Sequence, residues 1–158
     1  MDIETICQLS EKFRNAIEAA VHSGTYFRLC TLFCSFPRGC CGYTSDLLAE
    51  YLVSNGLSLQ RVKRANCTKI RGGFTHTWLM IDDSYYLDIT ADLFNEKAPF
   101  KTYMPISKCY CVKRDTGIYE LFDKSDICFN QEAGIIYYPV NISENLSELY
   151  DIVIRYIK

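Results

Sequence analysis

Long apolar runs are missing from this 158-residue chain. The longest charge-free apolar stretch, Leu29 to Phe36, is far too short to span a bilayer, so no membrane partner is expected. The N-terminus, MDIETICQLSEK, carries acids early and has no apolar leader core. No signal peptide is therefore expected, and the expected compartment is the cytoplasm. A lysine–arginine stripe is also lacking, and the formal charge is −2, which excludes an electrostatic nucleic-acid footprint. There is no CxxC pair and no calcium-loop motif, and the only histidines are His22 and His76. The usual spacing of a zinc site is thus absent. What remains is 49% hydrophobic and 14% aromatic, enough for a sizeable core and too apolar for general disorder. The length suits a single domain over 1–158.

Nine cysteines are present: Cys7, Cys30, Cys34, Cys40, Cys41, Cys67, Cys109, Cys111 and Cys128. An odd number at irregular spacing, with no export signal, does not read as a disulfide scaffold. Most are expected to be reduced, small core residues. The one conceivable zinc set joins Cys109 and Cys111, which share a face if KCYCV is a strand, to Cys67 and His76.

The periodicity predicts a helix over 3–23, with Ile6, Leu9, Phe13, Ile17 and Ala20 on one face and Gly24 as its stop. Residues 25–39 hold no clean period, and Pro37 and Gly39 mark a turn. A second helix is expected over 42–54, with Leu47, Leu48, Tyr51 and Leu52 as its apolar face and Asn55-Gly56 ending it. The pattern then changes to strands at 57–64, 67–70, 74–81 and 84–90, the last two joined by a turn at Asp82-Asp83-Ser84. A loop over 92–105 holds Pro99 and Pro105. Further strands are expected at 106–112, 117–122 and 134–140, and a closing helix over 143–158 with Ser143 as its cap. Helices, then a meander of strands, then a helix make an α+β arrangement rather than alternating βαβ units.

Two stretches carry chemistry. PRGCCGYTSDLLAEYL (37–52) puts a cysteine pair at a tight turn that runs straight into a helix. The unpaired N–H groups of a helix start favour thiolate over thiol and can receive a developing oxyanion. FTHTWLMIDDSYYLDIT (74–90) puts His76 and Asp88 twelve residues apart across the expected hairpin. With an odd-numbered turn such as 82–84, positions 76, 78, 88 and 90 share one face, and His76 lies diagonal to Asp88; a two-residue loop would separate them. A histidine held by a carboxylate and facing a thiol follows the logic of nucleophilic triads. Cys41 would attack, His76 would carry the proton, and Asp88 would fix the tautomer. Counting forward from Cys41 gives Thr44, Ser45, Leu48 and Leu52, a small-then-apolar face; counting from Cys40 gives the bulkier Tyr43, Thr44, Leu47 and Tyr51. Cys41 is therefore the preferred nucleophile and Cys40 the alternative.

Taken singly, each residue also has an ordinary reading: Cys41 as core, His76 as a structural histidine, Asp88 as a turn cap, Trp78 as packing. Thr90 and Asp92 could extend the hydrogen bonding of Asp88, and Asp92 is the alternative orienter under a different register. His22 complements the dipole at the first helix's end and has no catalytic part. It is the three residues in order that carry the functional reading.

That order, with the Gly39-Cys40-Cys41 entry into a helix, resembles the papain-like and transglutaminase-like thiol enzymes. The gaps of 35 residues from Cys41 to His76 and 12 from His76 to Asp88 are similar to those of bacterial toxin glutamine deamidases and arylamine N-acetyltransferases. The resemblance covers residues 36 to 95. It implies a papain-like or transglutaminase-like core and a thiol hydrolase or acyltransferase. Such an enzyme acts on a protein or peptide amide, by deamidation, peptide cleavage or transglutaminase-like transfer, without a cofactor. Two positions depart from the family pattern. Gly42 stands where papain and transglutaminases have tryptophan, and no glutamine shortly precedes Cys41. Ser35, Thr31 or a backbone amide would have to complete the oxyanion hole. A catalytically inactive binding or scaffold protein of the same fold, and a zinc-stabilised module, are the alternative readings.

Overall fold

A computed structural model of the protein describes residues 1–25, 29–70, 73–130 and 133–158. Helix α1 (Ile3–His22) starts where the Asp2 carboxylate accepts the Thr5 N–H at 2.8 Å, a side-chain N-cap. It ends one residue short of expectation, with His22 in its last turn. The aperiodic stretch that follows holds a one-turn helix α2 (Cys30–Phe33), while residues 26–28 lie outside the described part. Helix α3 (Cys41–Ser54) begins one residue before the expected 42 and buries Leu47, Leu48, Tyr51 and Leu52, the apolar face read from the sequence. The closing helix α4 runs Val140–Ile154 rather than 143–158. Ser143 does not cap it: its hydroxyl donates back to the Val140 carbonyl at 2.9 Å, and Pro139 holds the cap position.

Five strands form one antiparallel sheet: β1 (Val62–Ile70), β2 (Phe74–Ile81), β3 (Tyr85–Asp88), β4 (Tyr110–Lys113) and β5 (Ile127–Asn130), in the order β4-β3-β2-β1-β5. β2 matches the expected 74–81. The strands expected at 57–64 and 67–70 are one strand, preceded by a 3₁₀ turn at Leu59–Arg61, with a register irregularity against β2 between Cys67 and Ile70. The strand expected at 84–90 is trimmed to β3, and that at 106–112 becomes β4. Two expected strands are not strands: 117–122 is the 3₁₀ turn Gly117–Leu121, and 134–140 holds the 3₁₀ turn Ile135–Tyr137. In the first, Ile118 and Tyr119 are adjacent and both buried, which strand alternation forbids on a one-sided strand. The loop at 92–105 is wound into 3₁₀ turns at Ala91–Glu96 and Ala98–Tyr103. β5 was not foreseen.

The sheet separates two cores. On one face, Val62, Leu79, Ile81, Leu87 and Ile89 pack against α1, α3 and α4 through Phe13, Ile17, Leu48, Leu52, Leu146 and Leu149. On the other, Trp78, Met80 and Tyr86 meet Phe94, Phe100, Ile118, Tyr119 and Phe122 from the 3₁₀ turns. Alternation along β2 sends Leu79 and Ile81 to the helices and His76, Trp78 and Met80 to the aromatic layer. Full burial of each large apolar side chain is worth roughly 1.5–3 kcal/mol. No helix among the described residues is long and apolar enough to cross a membrane.

Candidate active site

The turn before α3 depends on Gly39, whose φ of +74° is open to glycine at no steric cost. It delivers Cys40 as the N-cap residue and Cys41 as the first residue of the helix, with no acidic side chain in the first turn to occupy the free N–H groups. The two thiols diverge. Cys40 is buried, its sulfur donating to the Pro37 carbonyl at 3.5 Å, and burial pushes its ionisation up to about 11. Cys41 is half-buried and faces the His76 ring and the Thr77 backbone N–H. Burial opposes its ionisation, but the hydrogen bond and charge of His76, with the Thr77 N–H, hold the thiol below its ordinary range. Of the two sulfurs, it is Cys41 that shares a cleft with His76.

The hairpin meets the register condition. Ile81 pairs with Tyr85 across a three-residue turn, Met80 with Tyr86 and Leu79 with Leu87, so His76 lies diagonal to Asp88. Asp82 and Asp83 both take φ of +53°, a conformation aspartate tolerates better than most residues. His76 Nε2 lies 2.6 Å from Asp88 Oδ2, and both side chains are about 1% exposed. With Nε2 so engaged, Nδ1 is the nitrogen left for the thiol. Burial disfavours the imidazolium, yet Asp88, and after it Cys41, raise His76 to about 10. The ring is held edge-on by Phe94, centroids 4.8 Å apart, and stacked on Trp78 at 6.0 Å.

Asp88 is kept ionised against its burial by the charge of the His76 ring and accepts four hydrogen bonds. His76 and the Tyr119 hydroxyl (3.1 Å) bind Oδ2; the Thr90 N–H (2.7 Å) and hydroxyl (2.8 Å) bind Oδ1. Thr90 thus joins the network as its spacing suggested. Asp92 does not. Its carboxylate is bound at both oxygens by the buried Arg14, at 2.9 Å each, so it is no alternative orienter.

Tyr119 was invisible in the sequence, because it comes from a 3₁₀ turn 31 residues downstream in a segment that reads as a strand. Burial and Asp88 raise its own ionisation well above the ordinary range, so it is a fixed donor. Tyr119→Phe is expected to cost about 1 kcal/mol, the usual worth of one hydrogen bond. Urea titration of the two proteins checks this; equal midpoints would show that the hydroxyl contributes nothing.

A cleft of about 300 Å³ opens beside Cys41 and His76, walled by Arg38, Phe74, Thr75, Leu93 and Lys97. Neither Thr31 nor Ser35 lines it, which leaves backbone N–H groups of the α3 start as the candidate oxyanion donors. The imagined zinc set is dispersed. Cys109 and Cys111 turn to the helical face, where the Cys109 thiol meets the Cys7 carbonyl at 3.7 Å. Cys67 lies in the aromatic layer with its sulfur 3.7 Å from Asp126, and His76 is committed to Asp88. Among the described residues no three histidine, cysteine or acidic side chains converge as a metal site.

No family model matches the chain, and neither a curated protein nor a solved structure matches it.

Proposed function

We propose that this protein is a cysteine-dependent hydrolase or acyltransferase acting on an amide of a protein or peptide, with Cys41 as nucleophile, His76 as proton carrier and Asp88 as orienter, on a papain-like or transglutaminase-like core. One observation carries the reading: the buried His76 ring is hydrogen-bonded to a buried carboxylate through Nε2 and lines the same cleft as the thiol of Cys41, which stands at the first turn of a helix. The thiolate attacks the amide carbonyl, and the oxyanion develops toward the free N–H groups of α3. The imidazolium gives its proton to the departing nitrogen, leaving a thioester on Cys41. Neutral His76 then takes a proton from water or an amine, which attacks the thioester and releases Cys41 as thiolate. Asp88 keeps Nδ1 toward the thiol and balances the imidazolium throughout. The four hydrogen bonds on Asp88 make that orientation rigid.

The test is turnover. Incubation with glutamine-containing peptides, reading ammonia release and peptide mass, is expected to show activity that falls by at least about 10³-fold in Cys41→Ala. Equal rates for the two proteins would overturn Cys41 as the nucleophile, and no turnover by the intact chain across deamidation, cleavage and amine-transfer assays would favour the inactive scaffold.

A further inference from the structure

The residue after the nucleophile has no side chain, and the structure gives a reason. A Cβ built on Gly42 would lie 2.8 Å from Nη2 of Arg64, so the absence of a side chain lets the guanidinium rest on the first turn of α3. Arg64 comes from β1, where it pairs across strands with Asn130 of β5, and alternation puts Asn66 on the same face. Its partner Asp46 is 3.7 Å away and already accepts the Tyr138 hydroxyl at 2.6 Å and the Gly134 N–H at 3.2 Å. That contact anchors the arginine without using its fork: the buried Nε has no hydrogen-bond partner, and among the described residues the Nη groups have none either. A guanidinium carries five donors suited to bidentate carboxylate binding, and leaving them unused at a partly buried position is costly.

Those donors edge a second hollow of about 380 Å³, lined by Arg64, Asn66, Thr68, Thr75 and Asn130 among others. It meets the cleft at Cys41 along a shared border, Thr75 and His76. No aspartate or glutamate lines either hollow, although the chain carries 19 acids and a net charge of −2. We infer that Arg64, with Asn66 and Asn130, is a carboxylate-binding subsite, and that the substrate is a peptide or protein bearing a carboxylate close to the amide attacked. Its use in catalysis rests on the thiol-enzyme reading above; the binding of a carboxylate does not. Arg64 supplies charge and a planar fork, the two asparagines supply amide N–H donors, and the adjacent helix start adds its partial positive charge.

The test uses matched alkylating probes on the full chain. N-iodoacetyl-glutamate α-amide and N-iodoacetyl-glutamine α-amide differ only in side-chain charge; N-iodoacetyl-glycine and its amide do the same for a terminal carboxylate. The readout is the ratio of Cys41 labelling rates within each pair, located by mass spectrometry, so intrinsic thiol reactivity cancels. The carboxylate member is expected to react about 10-fold faster in one of the pairs, which identifies whether a side-chain or a terminal carboxylate is taken. That ratio is expected to fall toward one in Arg64→Gln. Asn130→Asp, an exposed and isosteric change on the edge strand, keeps the test valid if loss of the Asp46 partner unfolds the first variant; it too should collapse the ratio. Ratios unchanged in both variants would overturn the subsite. Slow labelling of Cys41 by plain iodoacetamide would instead overturn the thiol-enzyme reading, while the ratio would still report on Arg64.

Discussion

Iodoacetamide added to the native protein at pH 6 is expected to label Cys41 faster than an ordinary thiol by up to about 100-fold. An unperturbed thiol ionising near pH 8.5 is only about 0.3% thiolate at that pH, and alkylation follows the thiolate. Cys41 is held below the ordinary range, whereas its neighbour Cys40 is buried and raised to about 11, so the modification should be confined to one of two adjacent sulfurs. His76→Ala removes both the hydrogen bond and the positive charge that oppose desolvation. The Cys41 thiol then moves upward, and labelling at pH 6 should fall by a similar factor. The sign of the full profile follows. Reactivity rises on the acid side as Cys41 ionises below the ordinary thiol range. The competent pair is lost on the alkaline side as His76 gives up its proton near pH 10. Mass-spectrometric location of the label across a pH series checks the acid side; the alkaline side is read from turnover, because a thiolate alkylates whether or not His76 is protonated. Even labelling of Cys34 and Cys128 alongside Cys41, or a profile untouched by His76→Ala, would mean that no thiolate–imidazolium pair exists.

The largest expected effect on stability lies away from the thiol. Arg14, 1% exposed on α1, binds Asp92 with both terminal nitrogens, reaches Glu18 at 2.9 Å, donates to the Ile89 carbonyl and covers the Phe36 ring at 4.4 Å. It ties the helical layer to the chain just after β3, at Ile89 and Asp92. Arg14→Leu strands the Asp92 carboxylate and the Ile89 carbonyl and leaves Glu18 only Lys108, at 2.7 Å, and loss of one member of a buried ion cluster costs about 3 kcal/mol. With a urea slope of about 1–3 kcal/mol per molar, the midpoint should drop by at least about 1 M. A drop of a few tenths of a molar would show that the cluster is replaced by water at little cost.

The legible parts of the chain are those where periodicity and punctuation agree. β2 is bounded by Gly73 and by Asp82-Asp83-Ser84 and matches its expected residues, and its turn fixes the His76–Asp88 diagonal. α3 is likewise bracketed by Gly39 and Asn55-Gly56. The failures are short runs rich in isoleucine, tyrosine and phenylalanine, a composition that fits strands but also fits a 3₁₀ turn lying on a core. In GIIYYPV, Ile135 is buried while Ile136 is 73% exposed, which a single turn explains and composition does not. β5 is only four residues long, and its pairing with β1 comes from tertiary contact rather than from any pattern of its own. The same limit hid Tyr119 and Arg64. Their roles depend on which distant segments fold against β3 and α3, and no local spacing encodes that.

The sheet's two faces have a practical consequence for how unfolding can be watched. The chain's single tryptophan lies wholly in the aromatic layer, against Tyr86, Tyr119 and Phe122, whereas nearly all of the α-helix lies across the sheet. Indole emission and far-ultraviolet dichroism therefore report on opposite sides of the same molecule. Coincident transitions in the two signals would mean that the layers melt as one unit; separated transitions would reveal which side of the sheet lets go first.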